Sequence, residues 1–468
     1  MSDTVSTGQP DTILKSVSSE NSINGQRAPK TLPGEFYEQY LSRAAKNRQP
    51  DAIRSLLPLE HTPGVISLLA GKPNTSTFPI SSLQFTTRDP ASPSSNEIQL
   101  QLSPQELAVG LQYSLTRGLP DLQEWIHGLQ AISHKREKGE GWTVAIGAGS
   151  QDLIYKAVTA LVNPGEAVLI EAPVYAGVLP IFQSLDCDMI EVETDAQGIR
   201  SDSLRATLES WPAAKPKPKV LYTVPYGCNP TGMTASLERR LEVLALSREH
   251  GFLILEDDPY YYLYYGSAPR PPSYFQLERE QPDVGRVVRF DSLSKVLSSG
   301  IRVGFVSAPE VIVRAMELHT MMANLQPSSL SQAIALKLLR TWGYAGFRAH
   351  TEHVSQFYRE KRDVFEAALR RHLADLVEWT TPEAGMFVWF KLLGTAADGS
   401  TLENDSESII RTKAFEHGVL ALPGTVFLPS GRKTAYVRAA FSLLPPEDVD
   451  EALKRLRVAI LDARASSA

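Results

Sequence analysis

The sequence predicts an α/β protein: a large domain on a mostly parallel central sheet flanked by helices, followed by a smaller α/β domain. Three observations carry that expectation. Short apolar strands alternate with helical patterns through the middle of the chain. The segment "VAIGAGSQDLIYKAVTALVNPGEAVLIEAPVY" (144–175) reads as strand, glycine turn, helix, turn, strand. The chain has 468 residues, more than one core holds, since single cores stop growing at roughly 250–300 residues. Such alternation places chemistry at strand ends, where turns meet a ligand.

In chain order, residues 1–30 are polar and expected to be a disordered tail. Residues 31–95 read as an N-terminal arm and substrate-side segment that contributes to the small domain. It holds a helix near 34–46, the proline-punctuated "QPDAIRSLLPLEHTPG" and a loop "TTRDPASPSSNE" over 86–97. The large domain, 96–340, opens with a helix in "GLPDLQEWIHGLQAISHKR". After the strand–turn–helix unit come "KVLYTVPYGCNPTG", a helix over 236–249 and the strand in "FLILEDDPYY". The strands of "RVVRFDSLSK" and "RVGFVSAP" close it. The small domain, 341–468, starts on a charged helix from about 345, "FRAHTEHVSQFYREKRDVFEAALRRHL". It then continues through "GMFVWFKL", a charged insertion and "TAYVRAAFS".

Composition narrows the function classes. The net charge is −6 and the basic residues are scattered, so the Lys-Pro alternation at 215–219 reads as a surface turn and no nucleic-acid partner is expected. Cys187 and Cys228 form neither a disulfide framework nor a CxxC pair, and His61, His127, His250, His319, His350, His353 and His372 lack ligand spacing; no metal is expected, and a reducing, cytoplasmic setting is. No run of about 18 apolar residues occurs, so no membrane span is expected.

The stretch "SLSKVLSSGIRVG" (292–304) sets Lys295 among small residues with Arg302 seven positions on. A lysine on such a turn can hold an aldehyde covalently and release it to an incoming amine, while Arg302 offers a fork of donors for a phosphate and Ser292 and Ser294 add hydroxyls. Together they suit pyridoxal 5'-phosphate, although serine, lysine and glycine also build ordinary turns. Two further segments reduce that ambiguity. In "GAGSQ" (147–151) the N–H groups near Ser150 and Gln151 can receive a dianion at a helix start. In "EDDPYY" a carboxylate can face a pyridine nitrogen and keep the ring protonated; alternatively Asp257, Asp258 and Pro259 only end the strand.

With these motifs in order, the chain from about residue 48 to the C-terminus resembles a class I, fold-type I pyridoxal-phosphate aminotransferase. It is similar to the branch of kynurenine/2-aminoadipate and fungal aromatic amino acid aminotransferases. The resemblance implies that Lys295 holds the cofactor covalently and that Asp257 pairs with the pyridine nitrogen. Asn229 in "GCNPTG" and Tyr260 would bond the 3-oxygen, and Tyr175 in "EAPVYAG" would stack over the ring. Ser150, Gln151, Ser292, Ser294 and Arg302 match the phosphate cup. Arg438 in "YVRAAF" matches the arginine that binds the substrate α-carboxylate, and Asn229 is also expected on the substrate side. Tyr113 in "LQYSLTRG" matches a residue reaching the neighbouring subunit's phosphate, which implies a homodimer with shared sites.

The resemblance further implies ping-pong transfer between an amino acid and a 2-oxo acid. Arg54 in "DAIRSLLP" matches an arginine able to meet a distal carboxylate or lie against an aromatic ring, and Gly71 in "LLAGKPN" leaves space beside the substrate. The reading favours tryptophan, phenylalanine or tyrosine as donor, with phenylpyruvate or 2-oxoglutarate as acceptor. Alternatives are 2-aminoadipate or kynurenine transamination, a pyridoxal-phosphate lyase or decarboxylase, and a non-catalytic regulator, against which Lys295, Asp257 and Arg438 together argue. Three departures from the branch pattern bear on the pocket. Cys228 either packs against the ring pocket or tunes it; Lys72 follows the substrate-side glycine; and Asp152 stands beside the phosphate turn. The run "PYYYLYY" (259–265) fits substrate stacking or core packing.

Overall fold

A computed structural model describes residues 29–53, 56, 59–60, 62–69, 71–394 and 405–466. Its centre is an eight-stranded sheet. The strands are β3 (Thr143–Gly147), β4 (Ala167–Ala172), β5 (Asp188–Asp195), β6 (Gly198–Ile199), β7 (Val220–Thr223), β8 (Leu253–Asp257), β9 (Val287–Ser292) and β10 (Gly304–Ala308), in the order β3-β10-β9-β8-β7-β4-β5-β6. The inner pairs β9/β8, β8/β7, β7/β4 and β4/β5 are parallel, while β10 runs antiparallel between β3 and β9. Every residue of β7, β8, β9 and β10 is buried. That explains why β7, β8 and β9 open on apolar residues without alternation, because a parallel sheet covered on both faces has no solvent side to alternate with.

Helices close the crossovers. Helix Ser150–Leu161 starts on Gly149, whose φ of 92° forms the turn out of β3. Helix Leu237–His250 begins where the Ser236 hydroxyl accepts from the Arg239 N–H and ends on Gly251 in the left-handed region. Downstream of the sheet, a 45-residue helical stretch, Ser329–Leu373, bends at Gly343 (φ 62°, ψ −178°). Gly343 divides the stretch into two helices, so the charged helix expected from about 345 begins just after it, with a separate helix from Ser329 before it. The C-terminal half of the stretch packs on a second, antiparallel sheet of β11 (Val377–Trp379), β12 (Phe387–Leu392), β13 (Leu422–Pro423) and β14 (Tyr436–Ala440), ordered β11-β12-β14-β13. Helix Pro446–Ser466 covers the same layer. Each sheet has its own core, one around Ile170, Leu221 and Leu255, the other around Phe390, Val437 and Leu369.

Two local expectations are corrected. The loop expected over 86–97 is instead the connection and flanks of a hairpin between β1 (Gln84–Arg88) and β2 (Glu97–Gln101). The helix expected near 34–46 is broken into a 3-10 turn Gly34–Gln39 and a short helix Arg43–Asn47. Ser42 causes the break: its extended backbone leaves the first turn while its hydroxyl accepts from Ala45 N–H. Among the described residues no helix is long and apolar enough to cross a membrane.

Candidate active site

The candidate residues converge at the C-terminal edge of the large sheet, where β8 ends on Asp257 and β9 on Ser292. Asp257 is buried. Its Oδ2 accepts from the Tyr222 hydroxyl at 2.6 Å, while Oδ1 is buried with no partner. Burial, reinforced by nearby Asp291, pushes its pKa up to about 7. A cationic N–H donor at Oδ1 would satisfy the orphan oxygen and hold the carboxylate charged.

After β9 the chain makes the tight turn that carries Lys295. The Ser294 N–H donates to Ser292 Oγ at 3.2 Å, and Leu297 N–H closes back on Leu293 O at 2.8 Å. Among the described residues the Lys295 amine has no hydrogen-bond or ion-pair partner. Burial and then the Arg302 charge lower its pKa, which favours the neutral, nucleophilic amine. Arg302 takes a left-handed backbone (φ 53°) and donates to Ser294 Oγ (3.1 Å), Ser299 O (3.1 Å) and Ala148 O (3.0 Å). It thereby ties the lysine turn to the glycine turn before helix Ser150–Leu161. Space at that junction is tight: a Cβ on Gly149 would lie 2.3 Å from Arg302 Nη2, and one on Gly304 would lie 2.7 Å from Ser150 N. A helix N-terminus, an arginine and hydroxyls thus share one cradle suited to a phosphate.

Within that cradle, the Gln151 amide donates to Gly177 O at 2.7 Å. Asp152 turns back on the glycine loop, accepting from Ala148 N–H (3.0 Å) and from Lys156 (2.8 Å). It acts as a local cap.

From the small sheet, Arg438 on β14 reaches in and donates to Asn229 Oδ1 at 2.9 Å. Its guanidinium lies 4.3 Å from the ring centre of Phe387 and 5.1 Å from that of Phe427, and its Nε is buried without an acceptor. Tyr260 is buried edge-to-face on Phe387. Burial raises its pKa, with Asp257 adding to the effect, and the same two causes act on half-buried Tyr175. The Tyr175 ring crosses Gly177, where a Cβ would come within 2.3 Å of its hydroxyl. Asp257, Tyr175, Tyr260 and Arg438 therefore surround one space.

Some expected residues stand apart. Tyr113 is 54% exposed, and Gly71 is exposed with nothing within 4 Å of a Cβ built there. Arg54 lies outside the described residues. Lys72 pairs with Glu60 at 2.6 Å. Cys228 is buried and its thiol donates to Glu171 Oε1 at 3.3 Å, so it packs behind the ring pocket against a carboxyl. Of the tyrosine run, only Tyr260 enters the site; Tyr261 and Tyr265 are buried and spend their hydroxyls on Ser133 O and Gly385 O.

Sequence reasoning missed Tyr222, Phe387 and Phe427. Tyr222 left a faint signal, a hydroxyl one residue short of the end of an apolar strand. Phe387 had a clearer one: it alternates with Trp389 on β12, and Trp389 is the partner of Arg438 in register.

The orphaned Asp257 oxygen, the unpartnered lysine, the cradle and the unpaired Arg438 Nε all fit a ring-bearing phosphate aldehyde and a carboxylate substrate. Comparison with known proteins agrees. The family described as aminotransferase class I and II matches residues 108–456. Aminotransferase tdiD of Emericella nidulans is 44% identical over 410 residues, 87% of this chain and 92% of that protein. The mitochondrial kynurenine/alpha-aminoadipate aminotransferase of Bos taurus is 36% identical over 436 residues, 90% of this chain and 98% of its own. Among solved structures, aminotransferase Aro8 from Candida albicans superposes with a TM-score of 0.83 at 25% identity, covering 94% of this chain and 100% of that one. With its two sheets, its lysine turn and its arginine-bearing small domain matched along nearly their whole length, the chain belongs to the class I and II aminotransferases.

Proposed function

We propose that this pyridoxal-phosphate-dependent aminotransferase takes its amino group from an aromatic L-amino acid, tryptophan, phenylalanine or tyrosine. It passes the group to a 2-oxo acid such as phenylpyruvate or 2-oxoglutarate in a ping-pong cycle. One observation carries the aromatic preference: Arg438 is held between Phe387 and Phe427, and Phe427 meets Trp389 edge-to-face at 5.7 Å. A substrate carboxylate bound by Arg438 would set its side chain beside this aromatic wall.

When bound, the cofactor supplies the electron sink for breaking the Cα–H bond. The chain supplies the rest. Asp257 Oδ1 would bind the pyridine N–H, Asn229 and Tyr260 the 3-oxygen, and Tyr175 the ring face. Ser150, Gln151, Ser292, Ser294 and Arg302 would hold the phosphate. Lys295 would hold the carbonyl carbon and, once displaced by substrate, move the proton from Cα; its lowered pKa supplies the neutral amine this step needs. Arg438 would fix the α-carboxylate and so the direction of the Cα–H bond. We place Tyr113 at a homodimer interface, where its exposed ring would complete the phosphate site of a second copy; Arg54 and Gly71 would shape the substrate side of the pocket.

A second reading, 2-aminoadipate or kynurenine as donor, is favoured by the relative of that name at 36% identity. The deciding experiment mixes the loaded enzyme with single amino acids and no acceptor. It follows the cofactor's visible absorbance and the oxo acid released. Fast conversion of the aromatic donors with slow 2-aminoadipate supports the proposal; the opposite ranking transfers the assignment. Absorbance change without oxo acid would count against transamination as the reaction run on these donors.

A further inference from the structure

The same three strands that end at the active site begin at a second concavity. Ahead of β7 stand Lys217 and Lys219, at the end of helix Leu237–His250 before β8 stand His250 and Gly251, and ahead of β9 stands Arg286. With Arg248 and the rings of Phe36 and Tyr40 they line a cavity of about 490 Å³. Strands of four to six residues span about 13–20 Å, so this cavity is separated from Asp257 and Lys295 by the length of the strands.

Its charges do not balance. Glu249, an acid in the wall, is bonded by Arg205 at 3.0 Å. Asp283 takes both guanidinium nitrogens of Arg248, at 2.9 and 3.1 Å, and Glu166 takes Lys219 at 2.8 Å. Arg286 is only partly matched: it is 9% exposed, it meets the Tyr40 side chain and makes a long ion pair to Asp283, 3.6 Å from Nε, and its Nε and Nη1 are buried without a hydrogen-bond acceptor. Its plane rests 4.9 Å from the centre of the Phe36 ring, which fixes it in place. Lys217 has another base beside it, His250 Nδ1 at 3.3 Å, and His250 Nε2 is buried without a hydrogen bond, its nearest carboxylate oxygen, on Glu249, 3.8 Å away. Unsatisfied buried donors are rare in folded proteins, and several converging on one hollow call for an anion.

We infer that this cavity is a second anion-binding site, for a compact ligand of two or more negative charges. Arg286 and Lys217 are its principal contacts and the Phe36 ring its floor. A phosphate and a polycarboxylate share the required chemistry. It also gives the Lys-Pro run at 215–219 a role beyond that of a turn, since alternate prolines stiffen the backbone and present Lys217 and Lys219 to the same hollow.

The test uses the cofactor-loaded enzyme, titrated calorimetrically with sodium pyrophosphate and separately with citrate at constant ionic strength. A saturable site for pyrophosphate is expected, weakened at least about tenfold, the loss of one charged contact, in Arg286→Met and in Lys217→Ala but not in Arg438→Ala. Because Lys217 is exposed, its variant keeps the test alive if Arg286→Met does not fold. Citrate binding as tightly as pyrophosphate would assign the site to polycarboxylates, and pyrophosphate binding alone would assign it to phosphates. No saturable heat from either anion overturns the inference. So does binding that ignores both cavity variants, or that vanishes only in Arg438→Ala.

Discussion

At the C-terminal ends of β8 and β9 carboxyl groups outnumber the cations that face them, whereas at the N-terminal ends of β7, β8 and β9 the excess is cationic. Glu256, Asp257, Asp258 and Asp291 are buried at the first edge. Against them stand Arg289, which holds Asp258, Asp291 (2.8 Å) and Glu256 (3.2 Å), and Arg240, 3.9 Å from Glu256. Lys217 and Arg286 are the surplus at the second. Burying an uncompensated charge costs several kcal/mol, so Asp257 Oδ1 at the first edge calls for a cationic N–H, as the inferred site at the second calls for an anion. The edges differ in depth. Asp257 Oδ1 is sealed in the core, where a pyridinium would be worth most; Lys217 stands at the surface, where screening weakens the attraction.

Four substitutions test how much of the chemistry belongs to the first edge. Lys295→Ala should have the largest effect, lowering turnover by about 10⁴-fold or more, because covalent hold and proton transfer are lost together. Turnover within tenfold of the parent would remove Lys295 from the reaction. Asp257→Asn keeps the shape but not the charge and should cost about 10³-fold, with weaker cofactor retention on gel filtration. Parental retention and rate would show that the orphan oxygen faces no cation.

The third substitution reads the carboxylate excess directly. Burial raises Glu171 from its ordinary 4.5 to about 7, so the folded protein holds a proton there that the unfolded chain has released. The associated stability is present below about pH 4.5 and is lost as pH rises through about 7, on the order of 3 kcal/mol in total. Glu171→Gln should flatten that part of the melting-temperature profile of cofactor-free protein. An unchanged slope between these pH values would show that the carboxyl ionises freely. Smallest, Arg438→Lys should lower kcat/KM by about 10²-fold, mostly through KM, since an ammonium replaces a bidentate fork. A loss confined to kcat would shift Arg438 from binding to the chemical step.

Parts of this architecture were legible because local chemistry wrote them. The buried strands β7, β8 and β9 open on apolar runs, and Gly149, Gly251 and Pro259 mark where elements end. The hairpin β1/β2 was not legible: its exposed, alternating Gln and Thr residues surround Pro90 and Pro93, and polar surface strands look like loops until a partner strand pairs with them. The break at Ser42 was hidden for a similar reason, since a serine cap inside an apolar pattern declares itself only through its backbone.

By itself, the sequence determined the α/β class, the lysine turn at 292–304, the glycine turn at 147–151 and the acid at the end of β8, because each is a short stretch whose residue types follow from its own backbone and chemistry. Only the tertiary structure decided that Tyr222 takes one oxygen of Asp257 and leaves the other bare, and that Phe387 and Phe427 enclose Arg438. It also gathered Lys217, Arg248 and Arg286 around one hollow. Those contacts join residues far apart in the chain, and their energies depend on distance and burial, quantities that exist only once the sheet has closed.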